Sequence, residues 1–242
     1  MPCHNGEKYI RESVDSIVNQ KYEDWELLFI DDNSTDNSVN IINEYIVNDN
    51  RIKLLINPNP TGKPSAPRNY GIENAKGSYI AFCDCDDKWM PSKLEIQMKY
   101  FEKKDCSVVF SYYKKMDEDG NIHDNIITSP TEVTYRQLLN GNCIGNLTGI
   151  YNADLVGKVY QKDIGHEDYL MWLEILKFGN KAYNTNTVEA IYREQRNSTS
   201  GNKIQAFKWT WNIYRKGLEL SFLQSVIHFV FYAIKGILKF LK

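Results

Sequence analysis

Asp84-Cys85-Asp86-Asp87 closes the run from Ser78 to Cys83, which is apolar and β-prone. Carboxylates packed that densely at the end of a buried strand repel one another unless a cation offsets them. Such oxygen ligands suit a hard divalent ion, Mg²⁺ or Mn²⁺, that also carries the phosphates of a substrate. The plain alternative is a solvated acidic turn leading into a helix near Pro91. Two further acidic pairs stand at comparable places. Asp31-Asp32 follows the short apolar run from Trp25 to Ile30, and Glu167-Asp168 precedes a helical pattern carrying Leu170, Leu173, Ile175 and Leu176.

The elements that must position these groups alternate along the first two-thirds of the chain. A helix capped by Asn5 carries Ile10, Val14, Ile17 and Val18 on one face. A second helix begins at Thr35 or Asp36, an extended run covers Arg51 to Ile56, and a third helix spans about Pro67 to Ala75. This β-α-β-α order predicts an α/β domain, a mostly parallel sheet flanked by helices. Ligands of such sheets sit at the carboxyl ends of strands, where Asp31-Asp32 and Asp84 to Asp86 fall. Farther on, Leu94 to Phe101 reads as helix and Ser107 to Tyr112 as strand. Asp117 to Asn121 reads as a hairpin turn, and Val188 to Tyr192 as a last strand before a polar loop from Arg193 to Asn202.

At 242 residues the chain can bury a full core, and it reads as a domain over 1–202 followed by a helical tail over 203–242. A formal charge of −2 gives nucleic-acid binding no global electrostatic support. The cysteines, Cys3, Cys83, Cys85, Cys106 and Cys143, are odd in number and form no C-x-x-C pair, which points to reduced thiols in a cytoplasmic setting. The opening residues lack the pattern of a signal peptide, and no apolar run is long enough for a membrane span.

In the tail, Ser221, Ser225, His228, Tyr232, Lys235, Lys239 and Lys242 recur at helical spacing as one polar stripe. Phe222, Val226, Phe229, Val230, Ala233, Ile237, Phe240 and Leu241 fill the rest of the circumference. That pattern predicts a helix lying in a membrane interface; the alternative is docking on the protein's own core or on a second subunit.

Taken in order, Pro2-Cys3-His4-Asn5-Gly6, Asp31 to Asp36, Arg68-Asn69-Tyr70-Gly71, Asp84 to Asp87 and Glu167-Asp168 resemble the motifs of GT-A family-2 glycosyltransferases. The resemblance covers Met1 to about Ser200. It implies a GT-A fold and transfer of a sugar, with inversion, from a nucleotide-diphospho-sugar such as a UDP-sugar to a saccharide or lipid-linked acceptor. The setting it implies is the synthesis of cell-surface polysaccharide. On that reading His4, Asp32, Arg68, Asp84, Asp86 and Arg196 (or Arg193) line the donor pocket. Asp86, with Asp84 directly or through water, holds Mn²⁺ or Mg²⁺, completing the D-x-D motif. Asp168, or failing it Glu167, is the general base. The implied location is peripheral, on the inner face of the cytoplasmic membrane.

The family begins with an apolar strand just before the Pro-x-x-Asn turn, whereas this sequence opens at Met1-Pro2. The resemblance therefore implies an N-terminally truncated domain whose first strand is missing, through a misplaced start or as a weakened remnant. A catalytically inactive scaffold of the same fold is the non-enzyme alternative. A sugar nucleotidyltransferase would need a glycine-rich basic loop that Asn5-Gly6-Glu7-Lys8 does not provide, and no G-x-G-x-x-G stands here for a dinucleotide enzyme.

Overall fold

Short apolar runs and intervening amphipathic helices build the first half of the molecule as their pattern dictates. The structure, a computed structural model, describes residues 1–195 and 203–240. Strands β1 (Pro2–Cys3), β2 (Leu27–Asp31) and β3 (Ile52–Ile56) form a parallel sheet in the order β1-β2-β3. Helices α1 (Ile10–Val18) and α2 (Ser38–Asn48) pack with this sheet, burying Ile10, Val14 and Ile17 of α1 with Ile41 and Ile42 of α2. Helix α3 (Ser65–Asn74) then leads to β4 (Tyr79–Ala81), β5 (Lys88–Trp89) and α4 (Lys93–Lys103).

The second half is mixed rather than parallel. Strands β6 (Val108–Met116), β7 (Ile122–Ile127), β8 (Glu132–Val133), β9 (Ile150–Asn152) and β10 (Ala182–Arg193) complete a sheet ordered β4-β9-β6-β10-β5. Only β6 and β10 run parallel in it; β9 is antiparallel to both β4 and β6. The turn at Asp117 to Asn121 joins β6 to β7 as a hairpin, with Asn121 and Asp119 donating to the Asp117 carboxylate. Between the strands lie α5 (Tyr135–Leu138), α6 (Ala153–Val156) and α7 (Glu167–Leu176). Trp172 of α7 is fully buried between Phe82 and Tyr151. Helix α8 (Lys203–Asn212), a π turn (Ile213–Gly217) and α9 (Phe222–Phe240) close the chain, and Ile213, Tyr214 and Leu218 join the core of α7.

Two expectations need correction. Asn5 does not cap α1, which starts at Ile10; at φ +53° its side-chain oxygen instead accepts from the Thr35 and Asp36 amides and fixes the turn after β2. The first strand is not wholly absent either. Pro2 and Cys3 pair with Ile30 and Asp31 as a two-residue strand. Beyond that stub, a cavity of about 520 Å³ runs between Leu27 to Ile30 and Tyr79 to Phe82, lined also by Ile72, Leu94 and Ile150. Its walls are strand edges and apolar side chains, a surface that rewards burial.

A β-prone apolar peptide of about five residues, fused ahead of Met1, is expected to fill this cavity and raise Tm. Each kcal/mol gained corresponds to roughly 2–4 °C for a chain of this size. Thermal melts beside a Gly/Ser fusion of equal length check this: equal midpoints would show that the cavity does not seat a strand.

Candidate active site

Four separate segments bring charged side chains to the carboxyl ends of β2 and β4. The first is the turn after β1, where His4 Nδ1–H donates to the Asp32 carbonyl at 2.8 Å. The second is the turn after β2. Asp31 is buried and accepts from the Ser34 amide, while Asp32, also buried, accepts from Asn57 Nδ2 at 2.5 Å. Asp31 thus shapes the turn, and Ser34 receives the Asn5 amide on its hydroxyl. Asn57 sits just past β3, a strand end that the same positional logic singles out. The third segment is α3, and the fourth is the acidic turn after β4.

Arg68 joins the last two. Its Nη2 donates to both oxygens of Asp84, at 2.8 and 2.6 Å, and Nη1 donates to Gln161 at 3.3 Å. The guanidinium is mostly buried, and its Nε–H is buried without a hydrogen-bond partner. Burial works against the charge, yet Asp84 and, farther off, Asp168 and Glu167 hold the Arg68 pKa above its ordinary value. The helix is positioned by Asn69, whose side chain clasps the backbone of Gln161 through two hydrogen bonds, and by Gly71, where a β-carbon would come within 2.8 Å of Ile30. A hollow of about 270 Å³ opens among His4, Asp32, Lys63, Arg68 and Asp84. Lys63 also pairs with Asp163.

The acidic turn divides its labour. Asp84 faces Arg68, and Asp86 accepts from Gln195 Nε2 at 2.6 Å. Asp87 is buried and accepts from the Arg193 amide at 2.9 Å. Burial, and then the neighbouring Asp84, raise the Asp86 pKa; burial with both neighbours raises Asp87 well above the carboxylate range. Among the described residues no three His, Cys, Asp or Glu side chains form a ready metal cage. The donor set of Asp86 and Asp84 still fits a hard cation shared with phosphate oxygens, because mutual repulsion is what such a charge relieves.

Arg193 does something other than meet a diphosphate. Its side chain is buried and spent: Nε donates to the Asp86 carbonyl, Nη1 to the Asp117 carbonyl, and Nη2 pairs with Glu12, while the guanidinium lies 4.1 Å over the Tyr9 ring. It is a clasp across the acidic turn. Arg196, the other donor-pocket arginine expected from the sequence, lies outside the described residues.

At the far side, Glu167 and Asp168 open α7. Asp168 accepts from Asn142 Nδ2 at 3.2 Å. Burial raises its pKa, against the pull of His166, Arg68 and the Asn142 hydrogen bond. His166 takes the left-handed conformation at φ 50° and sits edge-on against Trp209 of α8, 5.1 Å between ring centres. Burial lowers the His166 pKa. Asn142, Gln161 and His166 carry no motif in the sequence, and only the fold reveals them.

Carboxylates from separate segments are thus gathered around one arginine at the ends of β2 and β4. The description "Glycosyl transferase family 2" matches residues 1–156, and the chain belongs to that family, whose members are transferases. It is 36% identical to the putative teichuronic acid biosynthesis glycosyltransferase TuaG of Bacillus subtilis (strain 168), over 98% of this chain and 94% of the relative. It is 34% identical to the UDP-Glc:alpha-D-GlcNAc-diphosphoundecaprenol beta-1,3-glucosyltransferase WfgD of Escherichia coli, over 99% and 92%. In fold it resembles S. aureus TarS 1-349 in complex with UDP-GlcNAc, with TM-score 0.73, 19% identity, and 96% of this chain against 70% of that one. It also resembles the mannosyltransferase PcManGT from Pyrobaculum calidifontis in complex with GDP-Man and Mn²⁺, with TM-score 0.68, 16% identity, and 91% against 63%.

Arg193→Lys keeps the charge but loses the fork that reaches separate acceptors. It is expected to cost about 2 kcal/mol, a fall in Tm of roughly 4–8 °C. A raised donor KM with Tm unchanged would instead assign this arginine to the diphosphate.

Proposed function

We propose that the protein transfers a sugar from a UDP-sugar to a saccharide or lipid-linked acceptor, with inversion, in cell-surface polysaccharide synthesis. It works in the cytoplasm, at the inner face of the membrane. The observation that carries this reading is the shared arginine: Arg68 binds Asp84 at the edge of the hollow and lies within electrostatic reach of Asp168.

In the donor half, the His4 ring stacks on the base and Asp32 accepts its imide N–H, with Asn57 holding one of the Asp32 oxygens in place. The Arg68 guanidinium, which lines the hollow beside Asp84, supplies positive charge to the diphosphate. A bound Mn²⁺ or Mg²⁺, held by Asp86 and Asp84, supplies positive charge against the departing diphosphate. In the acceptor half, Asp168 takes the proton from the attacking sugar hydroxyl. The oxygen bonds to the anomeric carbon from the face opposite the diphosphate, whose bond breaks in the same displacement. One displacement, with no covalent intermediate, inverts that carbon. Asn142 favours the charged Asp168, and burial keeps it basic enough to accept a proton.

Asp168→Asn is expected to lower kcat by about 10²–10⁴ while UDP affinity, measured by calorimetry, stays within twofold. Asp86→Ala abolishes the Mn²⁺-dependent release of UDP from the donor. Loss of UDP binding in Asp168→Asn, or full release in Asp86→Ala, would overturn these roles. Product NMR reads the anomeric configuration directly, and retention would exclude the single displacement.

The pH profile has a determined sign. The base must be deprotonated, so kcat/KM falls as pH drops through a raised Asp168 pKa, and the acidic limb lies above the ordinary carboxylate range. Removing the Asn142 hydrogen bond in Asn142→Leu withdraws a stabiliser of the carboxylate, which moves that limb to higher pH. An unmoved limb would place the titrating base elsewhere.

A further inference from the structure

Helix α9 sits on the body the opposite way round from what its pattern suggests. Ser225 is fully buried, His228 is hydrogen-bonded to Asn140 at 2.9 Å, and Tyr232 lies where a Gly141 β-carbon would meet its ring at 3.5 Å. Phe229 fills the contact with Phe207 and Trp211 of α8. Ser225, His228 and Tyr232 of the polar stripe therefore face inward, while Ser221 and Lys235 at its ends stay exposed. Outward stand Leu223, Ile227, Val230, Phe231 and Ile234, between 45% and 70% exposed and spaced to share one face. Exposed Ile204 and Phe207 of α8 lie by the same helix, since Phe207 touches Phe229 and Tyr232.

Charge decides what covers this face. Residues 203–242 carry seven Lys and Arg against the single acid Glu219, so 22 basic and 30 acidic residues remain in 1–202. The tail is thus formally +6 on a body of −8. Lys208, Arg215, Lys216 and Lys235 are exposed. Two copies meeting through this tail would bring like charges together, whereas an anionic lipid surface neutralises them and receives the apolar side chains. Among the described residues no helix is long and apolar enough to cross a membrane, which suits a helix lying in the interface plane.

Position links the face to the site. The loop from Leu138 to Asn142 receives α9 at Asn140 and Gly141, and its Asn142 bonds to Asp168. Tyr169 and Tyr214 hydroxyls donate to the carbonyls of Leu138 and Leu139 in the same loop. We propose that the outward face of α9 docks on an anionic bilayer and so sets the Asp168 end of the site against the membrane, where a lipid-anchored acceptor arrives. The docking stands on the exposed face and the charge alone; the acceptor's arrival rests on the glycosyltransferase reading.

The test is flotation of the full chain with vesicles of zwitterionic lipid alone or with about 30% anionic lipid added. The protein should float with anionic vesicles and be released by about 0.5 M salt. Ile227→Glu with Phe231→Glu should weaken partitioning at least tenfold while Tm and UDP affinity stay unchanged. Val47→Glu, an exposed apolar position on α2, should partition like the parent. Parent-like flotation of the double variant overturns the proposal, as does parent protein that stays with the buffer. A lipid-free dimer split by the same double substitution also overturns it, by assigning the face to a second copy. Parent protein that binds UDP yet does not float removes the docking and spares the transferase reading; absent UDP binding in parent protein removes the latter.

Discussion

The Arg68–Asp84 contact is the interaction on which the rest of the site depends. Asp84, Asp86 and Asp87 crowd one turn, and burial followed by repulsion raises the pKa of two of them, Asp86 and Asp87. A mostly buried guanidinium on both oxygens of Asp84 supplies the counter-charge that lets the strand end there. That guanidinium arrives on α3, which lies close over β2, with Gly71 against the tip of the Ile30 side chain. Arg193 completes the arrangement from the other side, holding the Asp86 carbonyl and placing its amide on Asp87.

The two halves of the site come from different parts of the chain and are tied together differently. The first ninety or so residues build the proposed donor half from the ends of β2, in the parallel sheet, and β4, in the mixed one. Asp168 lies beyond residue 156, where the family match ends, and is braced by the tail. Trp209 covers Gly165, whose β-carbon would fall within 2.1 Å of that ring, and so fixes the loop before α7. The Leu138 to Asn142 loop does the same from beneath, since α7, the π turn and α9 all bond to it. The tail is therefore part of the framework around Asp168.

Much of the donor half was legible in the sequence, because strand ends and acidic clusters leave local signals. Leu27–Asp31, Ile52–Ile56 and the strand before Asp84 stand where apolar runs stop on polar turns. The mixed second sheet was less legible: β9 is three residues long, and its antiparallel pairing with β4 and β6 is set by tertiary contacts that no local period encodes. Asn142, Gln161 and His166 escaped for a related reason. Each acts through one long-range hydrogen bond or ring contact, and single polar residues in loops look alike until the fold brings them together. Arg193 misled in the opposite sense, since a basic residue in a polar loop suggests an anion, whereas the fold gave it backbone carbonyls to hold.

The tail shows why amphipathic patterning does not by itself say which side faces inward. A stripe of Ser, His and Tyr reads as solvent-facing if the receiving surface is apolar. Here the receiving surface is a loop of exposed carbonyls and an asparagine, groups that need donors once covered. Tyr169 of α7 and Tyr214 of the π turn meet those needs at Leu138 and Leu139, and His228 of α9 meets Asn140, a polar contact that brings that side of α9 inward. The apolar residues are then left outside by geometry, since one helix cannot bury both faces against a single loop. An outward row of Leu, Ile, Val and Phe is costly in water, and a border of lysine and arginine does not reduce that cost. A surface apolar at depth and anionic at its edge would lower it, which is how the orientation that satisfies the loop also prepares the proposed docking.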